Sequence, residues 1–448
     1  MTTALSHASG DSVAGTADPP SPDWGIHLQP VGGLLVDRNS LNYVRLSSEA
    51  LEIALQLART RSVARTARIR AGTSRRDPDE VQAEMVEALS GSWLTSSWLN
   101  GALDQPLRVS GSTDAYLPLL ASLQLTNRCN LSCSFCYASS GPALPGELTA
   151  DDWVKVLERL AQSGIAAVTL TGGEPTIARD FRRILATATA LIDHVDIFTN
   201  GLHWSDELVA MAAACGNIRA QISIDGRAER HDLIRGRAGA YNESLHTMRR
   251  LTAAGVPVIV AMTVTPANYR DVAAVVSDVD SAGARLFRAG RVVPVGRGDQ
   301  DGFGLTPDQV ADVIRQFQET RHLNLESLGW DQCADLGEQL APIGLPVEFL
   351  TPGYLSWHVR ADGQVTPCQI EAESFGRILA EPLERIGESD RLATVRSTAR
   401  GCRCIRRLNP TDDVDLPFGL TPGPSTRMDT ATSSCCGTAR CGSGCGDD

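Results

Sequence analysis

No apolar stretch among the 448 residues approaches the roughly 18–20 that a membrane-spanning helix needs. A secretory signal is missing as well. The opening MTTALSHASGDSVAGTADPPSPDW holds neither a basic region nor an apolar core, and its Ser, Gly, Asp and Pro content predicts disorder over residues 1–23. Positive charge is in short supply: the net charge is −12, which argues against sequence-independent binding to nucleic acid by phosphate neutralisation. These features predict a cytoplasmic protein with neither a membrane nor a nucleic acid among its partners. The composition, 42% hydrophobic and 21% charged, is that of an ordinary globular protein, and the length allows two or three domains.

Twelve cysteines are present, but their arrangement speaks against disulfides. Disulfide frameworks belong to small exported domains. Here three cysteines lie at 129–136 and six between Cys402 and Cys445, a clustering expected of metal ligands. The stretch CNLSCSFCY (129–137) spaces its three cysteines by three and two residues and has no fourth within reach. Zinc would need a fourth protein ligand, or a water in a catalytic site. A cubane iron–sulfur cluster held by three thiolates instead leaves one iron open to an outside ligand, such as the amine and carboxylate of a small molecule.

The middle of the chain alternates strand and helix. ASLQLT (121–126), AAVTLT (166–171), VDIFTN (195–200), AQISID (220–225), PVIVAMTVT (257–265) and ARLFRAG (284–290) are short apolar runs bounded by turn residues. Between them, LTADDWVKVLERLAQSG predicts a helix with Thr149 as N-cap, Asp152 at the capping-box position, Val154, Leu157, Leu160 and Ala161 on one face, and Gly164 at its end. Strands buried on both faces and alternating with helices predict a parallel sheet, so the fold class is α/β, a partial (β/α)6 barrel over 118–310. The cysteines, TGGEPT, TNG and SIDG each follow or end a strand. That places them together on the C-terminal rim, where such barrels do chemistry.

CNLSCSFCY, TGGEP and ISIDG, in this order, resemble the radical S-adenosylmethionine (SAM) superfamily, and residues 118–300 carry the resemblance. It implies that Cys129, Cys133 and Cys136 bind a [4Fe–4S] cluster whose open iron chelates SAM. Reductive cleavage of SAM would then give a 5′-deoxyadenosyl radical that abstracts hydrogen from the substrate. By the same resemblance Gly172, Gly173, Glu174 and Pro175 hold the methionyl ammonium, Ser223 and Asp225 lie near the ribose, Arg235 pairs with the methionyl carboxylate, and Tyr137 flanks the adenine.

The continuation ISIDGRAERHDLIRGRAGAY resembles the peptide-modifying branch that carries a C-terminal SPASM or twitch domain, which implies one or two auxiliary [4Fe–4S] clusters over 311–448. Gly363 and Cys368 match its hairpin, and Cys435, Cys441 and Cys445 match its later spacing, with Cys436 adjacent. The match is incomplete. No cysteine stands 9–15 residues before Gly363, Cys333 being far upstream, and the partner of Cys435 is absent unless Cys402 and Cys404 serve. A zinc knot in the tail is the competing expectation.

Residues 24–110 predict a small sheet from IHLQP, GLLVD and NYVRL, followed by helices. This resembles the winged-helix recognition domain (RRE-type) of maturases of ribosomally made peptides, which binds a leader by adding a strand to its sheet. The intervening Arg59, Arg61, Arg65, Arg68, Arg70, Arg75 and Arg76 predict either an acidic partner segment or a solvated helix face. The expectation is therefore an enzyme that modifies a precursor peptide, with a flavodoxin or ferredoxin as reductant. A sulfatase-maturase-like enzyme would not need 24–110, and an RNA-modifying one is opposed by the charge. A non-catalytic iron–sulfur or zinc protein that delivers the peptide is opposed by the intact GGEP and SIDG. The sequence names no catalytic base; ordinary packing accounts for Cys215, His203 and His231.

Overall fold

The computed structural model describes residues 23–90, 107–320, 324–328 and 353–392. Three strands open it, β1 (Trp24–Leu28), β2 (Gly33–Asp37) and β3 (Asn42–Leu46), paired antiparallel by short turns. Helices α1 (Ser48–Thr60), α2 (Val63–Ser74) and α3 (Pro78–Ser90) follow, and β4 (Arg108–Gly111) returns to lie parallel to β1, so the sheet order is β3-β2-β1-β4. Ser47 caps α1 by accepting from the Ala50 N–H, and Leu51, Ile53, Ala54 and Leu57 share a core with Ile26, Leu35 and Val44. The arginine run spans the end of α1, all of α2 and the turn after it, with Arg65, Arg68 and Arg70 on α2 itself. Thr66, Ala67 and Ala71 face inward, Arg70 pairs with Glu49 and Arg76 with Glu84, and Arg59, Arg61, Arg65, Arg68 and Arg75 are exposed.

All six expected barrel strands are present and parallel: β5 (Leu120–Gln124), β6 (Ala167–Thr171), β7 (His194–Thr199), β8 (Ile218–Ser223), β9 (Val258–Val264) and β10 (Leu286–Arg291). The sheet is wider than six. β11 (Asn324–Leu328) extends it beyond β10, and β12 (Ser356–Val359) lies parallel to β5 before turning through Gly363 into the antiparallel β13 (Gln364–Thr366) and β14 (Gly376–Arg377). The helix after the cysteine loop, Ala150–Gln162, has its Thr149–Asp152 capping box, but its buried face is Trp153, Val156, Leu157 and Leu160. Val154 and Ala161 stand at the margin of that face, because the tryptophan supplies the larger apolar area.

Strand alternation separates two environments. Ala220 and Ile222 of β8 join the apolar layer beneath the helices, while Gln221 and Ser223 line the barrel interior. The first unit docks at the opposite end. Leu34, Val36, Leu41 and Tyr43 form one apolar cluster with Leu119, Leu120, Ala166 and Ala167, at the starts of β5 and β6. Arg38 donates to Gly164 O and Ile165 O, both at 3.1 Å, and to Asp193 Oδ2 at 2.6 Å. His27 bridges the same junction, with Nε2 donating to Leu117 O (2.9 Å) and Nδ1 accepting from Ser110 Oγ (3.1 Å).

Candidate active site

The cysteine loop leaves β5 and is closed at its base by Cys129 N donating to Gly141 O (2.8 Å) and Gly141 N to Asn127 O (3.1 Å). The Glu147 carboxylate accepts from the Thr126 hydroxyl and the Asn127 N–H, both at 2.7 Å, and so pins the exit from the strand. On its outer side, Ser132 N and Ser134 N donate to Arg235 O (3.2 Å) and Ile234 O (3.0 Å), the last carbonyls of helix Ala228–Arg235. Gly172 and Gly173 let the turn after β6 press against the root of this loop. A Cβ at Gly172 would lie 2.6 Å from Thr126 O, and one at Gly173 would run into Arg128 O.

A cavity of about 240 Å³ opens between these segments at the strand ends. Cys129, Cys133, Cys136, Tyr137, Gly172, Gly173, Ser223 and Arg235 all line it, so eight residues singled out by motif meet in one place. Glu174, Pro175 and Asp225 stand behind its wall. The buried Glu174 carboxylate accepts from the Thr176 hydroxyl (2.6 Å), the Thr199 hydroxyl (2.8 Å), Thr176 N (3.2 Å) and Asn200 N (2.7 Å), and so fastens the β6 rim to the β7 rim. Burial pushes this carboxyl above the usual range, with the donors pulling against it. Asp225 is likewise buried and forms an ion pair with Arg235, whose Nη1 also reaches Cys133 Sγ at 3.5 Å. Burial works against the Arg235 charge, but Asp225 and the Cys133 sulfur more than offset it, so the guanidinium stays protonated. His231 serves this assembly as a neutral acceptor, its Nδ1 receiving the Asp225 N–H at 2.9 Å. Burial lowers its pKa to about 3.

Burial raises the Cys129 thiol to about 11, with Glu174, Cys133 and Cys136 adding to the effect. Metal binding at such a thiol displaces its proton, so it is linked to pH. Among the described residues no three His, Cys, Asp or Glu side chains converge so as to hold a single metal ion. A cubane does not ask for that, since each thiolate takes its own iron. The donor set, the cavity beside it and the glycine-lined wall therefore fit a three-thiolate cluster with a small ligand. The Tyr137 hydroxyl reaches Gln369 Oε1 (3.4 Å), next to Cys368. Burial raises this phenol, and the Cys136 and Cys368 thiols add to the shift. Cys368 thus sits near the site. Cys402, Cys404, Cys435, Cys436, Cys441 and Cys445, as well as Cys333, lie outside the described residues.

Residues 123–279 match the family model of the Radical SAM superfamily. The chain is 41% identical over 401 residues to the sporulation killing factor maturation protein SkfB of Bacillus subtilis, covering 89% of this chain and 95% of that one. The chain belongs to the radical SAM superfamily. SAM and a [4Fe–4S] cluster are the cofactors of a radical SAM enzyme, and the fitted donor set agrees. The antilisterial bacteriocin subtilosin biosynthesis protein AlbA, also from Bacillus subtilis, is 26% identical over 384 residues, 81% of this chain and 83% of its own length. In fold, the chain resembles the crystal structure of Streptococcus suis SuiB, with a TM-score of 0.58 at 15% identity over 84% of this chain and 89% of that one. SuiB bound to its precursor peptide SuiA gives a TM-score of 0.57, with 16% identity and coverage of 82% and 88%.

This radical SAM site also holds residues that the motifs did not flag. Asn200, Gln221, Thr263, Arg291, Arg297 and Gln369 all line the cavity. Asn200 had a signal in TNG at the end of β7. Arg297 and Gln369 enter from segments far along the chain; Gln369 follows Cys368, and no motif pointed to Arg297.

Proposed function

We propose that this radical SAM enzyme modifies a ribosomally made precursor peptide, installing a crosslink or another change derived from a C–H bond. The observation that carries this reading is the near end-to-end similarity to a peptide maturation protein, joined to a rim cavity that holds the whole cysteine and glycine constellation. When bound, the cluster and SAM supply the electron and the 5′-deoxyadenosyl radical that takes a hydrogen atom from the substrate. The chain supplies geometry. Cys129, Cys133 and Cys136 hold the cluster, and the Gly172–Gly173 backbone, Ser223 and Tyr137 shape the wall against the methionyl and nucleoside parts. Arg235, kept charged by Asp225, faces the cavity where a carboxylate would sit. Glu174 and Pro175 act from behind, setting the β6 turn.

Residues 24–110 serve as an RRE-type, winged-helix-like leader-binding domain, with β3, one of the two edge strands, receiving the added strand and the exposed arginines of α2 facing an acidic leader. Residues 311–448 form a SPASM/twitch-like domain with one or two auxiliary clusters, Cys368 among the ligands, and a flavodoxin or ferredoxin reduces the enzyme. The test is to incubate anaerobically reconstituted enzyme with SAM, dithionite and each candidate short peptide encoded near its gene. The peptide should lose hydrogen by mass spectrometry as 5′-deoxyadenosine accumulates. An unchanged peptide under conditions that consume SAM would contradict the reading.

A further inference from the structure

The strap after β10 belongs to none of the motifs, yet its turn Gly296–Gly298 lies along the cysteine loop. The Arg297 N–H donates to Cys136 O (3.0 Å), its Nε to Cys133 O (2.8 Å) and its Nη1 to Ser140 O (2.9 Å). One residue thereby ties together three carbonyls of the loop, two of them from thiol-bearing residues. The flanking glycines make the approach possible. Gly296 has φ +62°, and a Cβ there would run into Tyr137 O and lie 2.8 Å from Cys136 O; one at Gly298 would run into Val293 O. Phe303, further along the strap, packs edge-on against Phe135 with ring centroids 6.1 Å apart.

The charge matters as much as the fork. Arg235 also stands beside Cys133, but Asp225 neutralises it. Arg297 spends its hydrogen bonds on neutral carbonyls, and among the described residues no acidic side chain pairs with it. A guanidinium is the side chain for this duty, because it is planar, rich in donors and always protonated.

We propose that Arg297 is a positioning residue for the cluster: it sets the relation of the Cys133 and Cys136 thiolates and holds beside them a positive charge that no acidic side chain among the described residues offsets. This rests on the reading that the three cysteines carry the cluster. The fork limits loop excursions that would release an iron. The charge favours the reduced cluster, which is more negative by one electron, over the oxidised one, and so raises the reduction potential.

The test uses full-length protein reconstituted anaerobically, comparing wild type with Arg297→Gln and Arg297→Lys. Readouts are iron lost to a chelator over time, the EPR signal of the dithionite-reduced cluster, and its potential by redox titration. Arg297→Gln should lose iron several-fold faster and titrate at a lower potential. Arg297→Lys should keep a potential near wild type but still lose iron faster, because it keeps the charge without the fork. An Arg297→Gln protein with wild-type iron retention and potential overturns the proposal. Should that variant fail to fold, Arg297→Lys decides, and unchanged retention there overturns the clamp. Wild-type protein that takes up no iron would overturn the underlying reading as well, whereas a normally loaded wild type beside unaffected variants overturns this proposal alone.

Discussion

Glu174 shows how a motif residue can organise the rim through its own hydrogen bonds. Three donors meet Oε1 and the Asn200 N–H alone meets Oε2, so either orientation of Glu174→Gln turns its NH2 toward a backbone N–H, of Asn200 or of Thr176, that offers no acceptor. Leaving buried donors unmet costs about 1–3 kcal/mol. The variant is expected to melt lower by that amount in urea titration and to bind SAM more weakly; a variant as stable as wild type would show the network to be dispensable. Gly173 leads to a sharper expectation, since a Cβ there collides with backbone at Arg128. Gly173→Ala should displace the cysteine loop and reduce iron uptake on reconstitution. The importance of these residues was legible in TGGEP. The direction in which Glu174 points was not, because five residues of sequence do not say which neighbouring turn supplies the donors.

Among the elements, β5 to β10 were legible because each is an apolar run long enough to be buried on both faces and closed by a turn residue. β12 was not, since SWHV is four residues long and its partner, β5, lies more than two hundred positions earlier in the chain. By composition the arginine run reads equally as a partner-binding segment or as a solvated helix face. Its helical spacing of Val63, Ala67 and Ala71 is what lets α2 form and dock. At the junction of β1 with the barrel, burial lowers the His27 pKa from 6.5 to about 4. The folded state therefore refuses a proton that the unfolded chain accepts below pH 6.5, so stability falls as pH drops from about 6.5 toward 4. The His27 contribution approaches about 3 kcal/mol at the acid end. His231 and His358, both lowered to about 3, act in the same sense. Denaturation midpoints measured across this range should drop steeply for wild type and less steeply for His27→Gln. Parallel slopes would remove His27 from the account.

For the whole molecule, the decisive arrangement is that residues 24–90 and β4 dock at the starts of the barrel strands, while the cavity opens at their ends. β5 and β6, against which that unit docks, are five residues each and so about 17 Å long, and a peptide anchored on β3 would need at least about five extended residues before its modified position reaches the rim. Shortening the precursor between leader and core below that length should abolish modification while leaving affinity for the enzyme intact. If α2 contributes through its arginines, leader affinity should also weaken as salt screens charges beyond a Debye length of about 8–10 Å. Salt-independent affinity would point to strand addition alone.

The measurement that bears most directly on the central claim is SAM cleavage without any peptide. Reconstituted wild-type protein with dithionite should convert SAM to 5′-deoxyadenosine, detected by chromatography and mass spectrometry. Cys129→Ala, Cys133→Ala and Cys136→Ala should each abolish it, since removing any one thiolate leaves two irons of the cubane unheld instead of one. Undiminished 5′-deoxyadenosine from any one of the three variants would contradict the assignment of the cysteine loop as the cluster site.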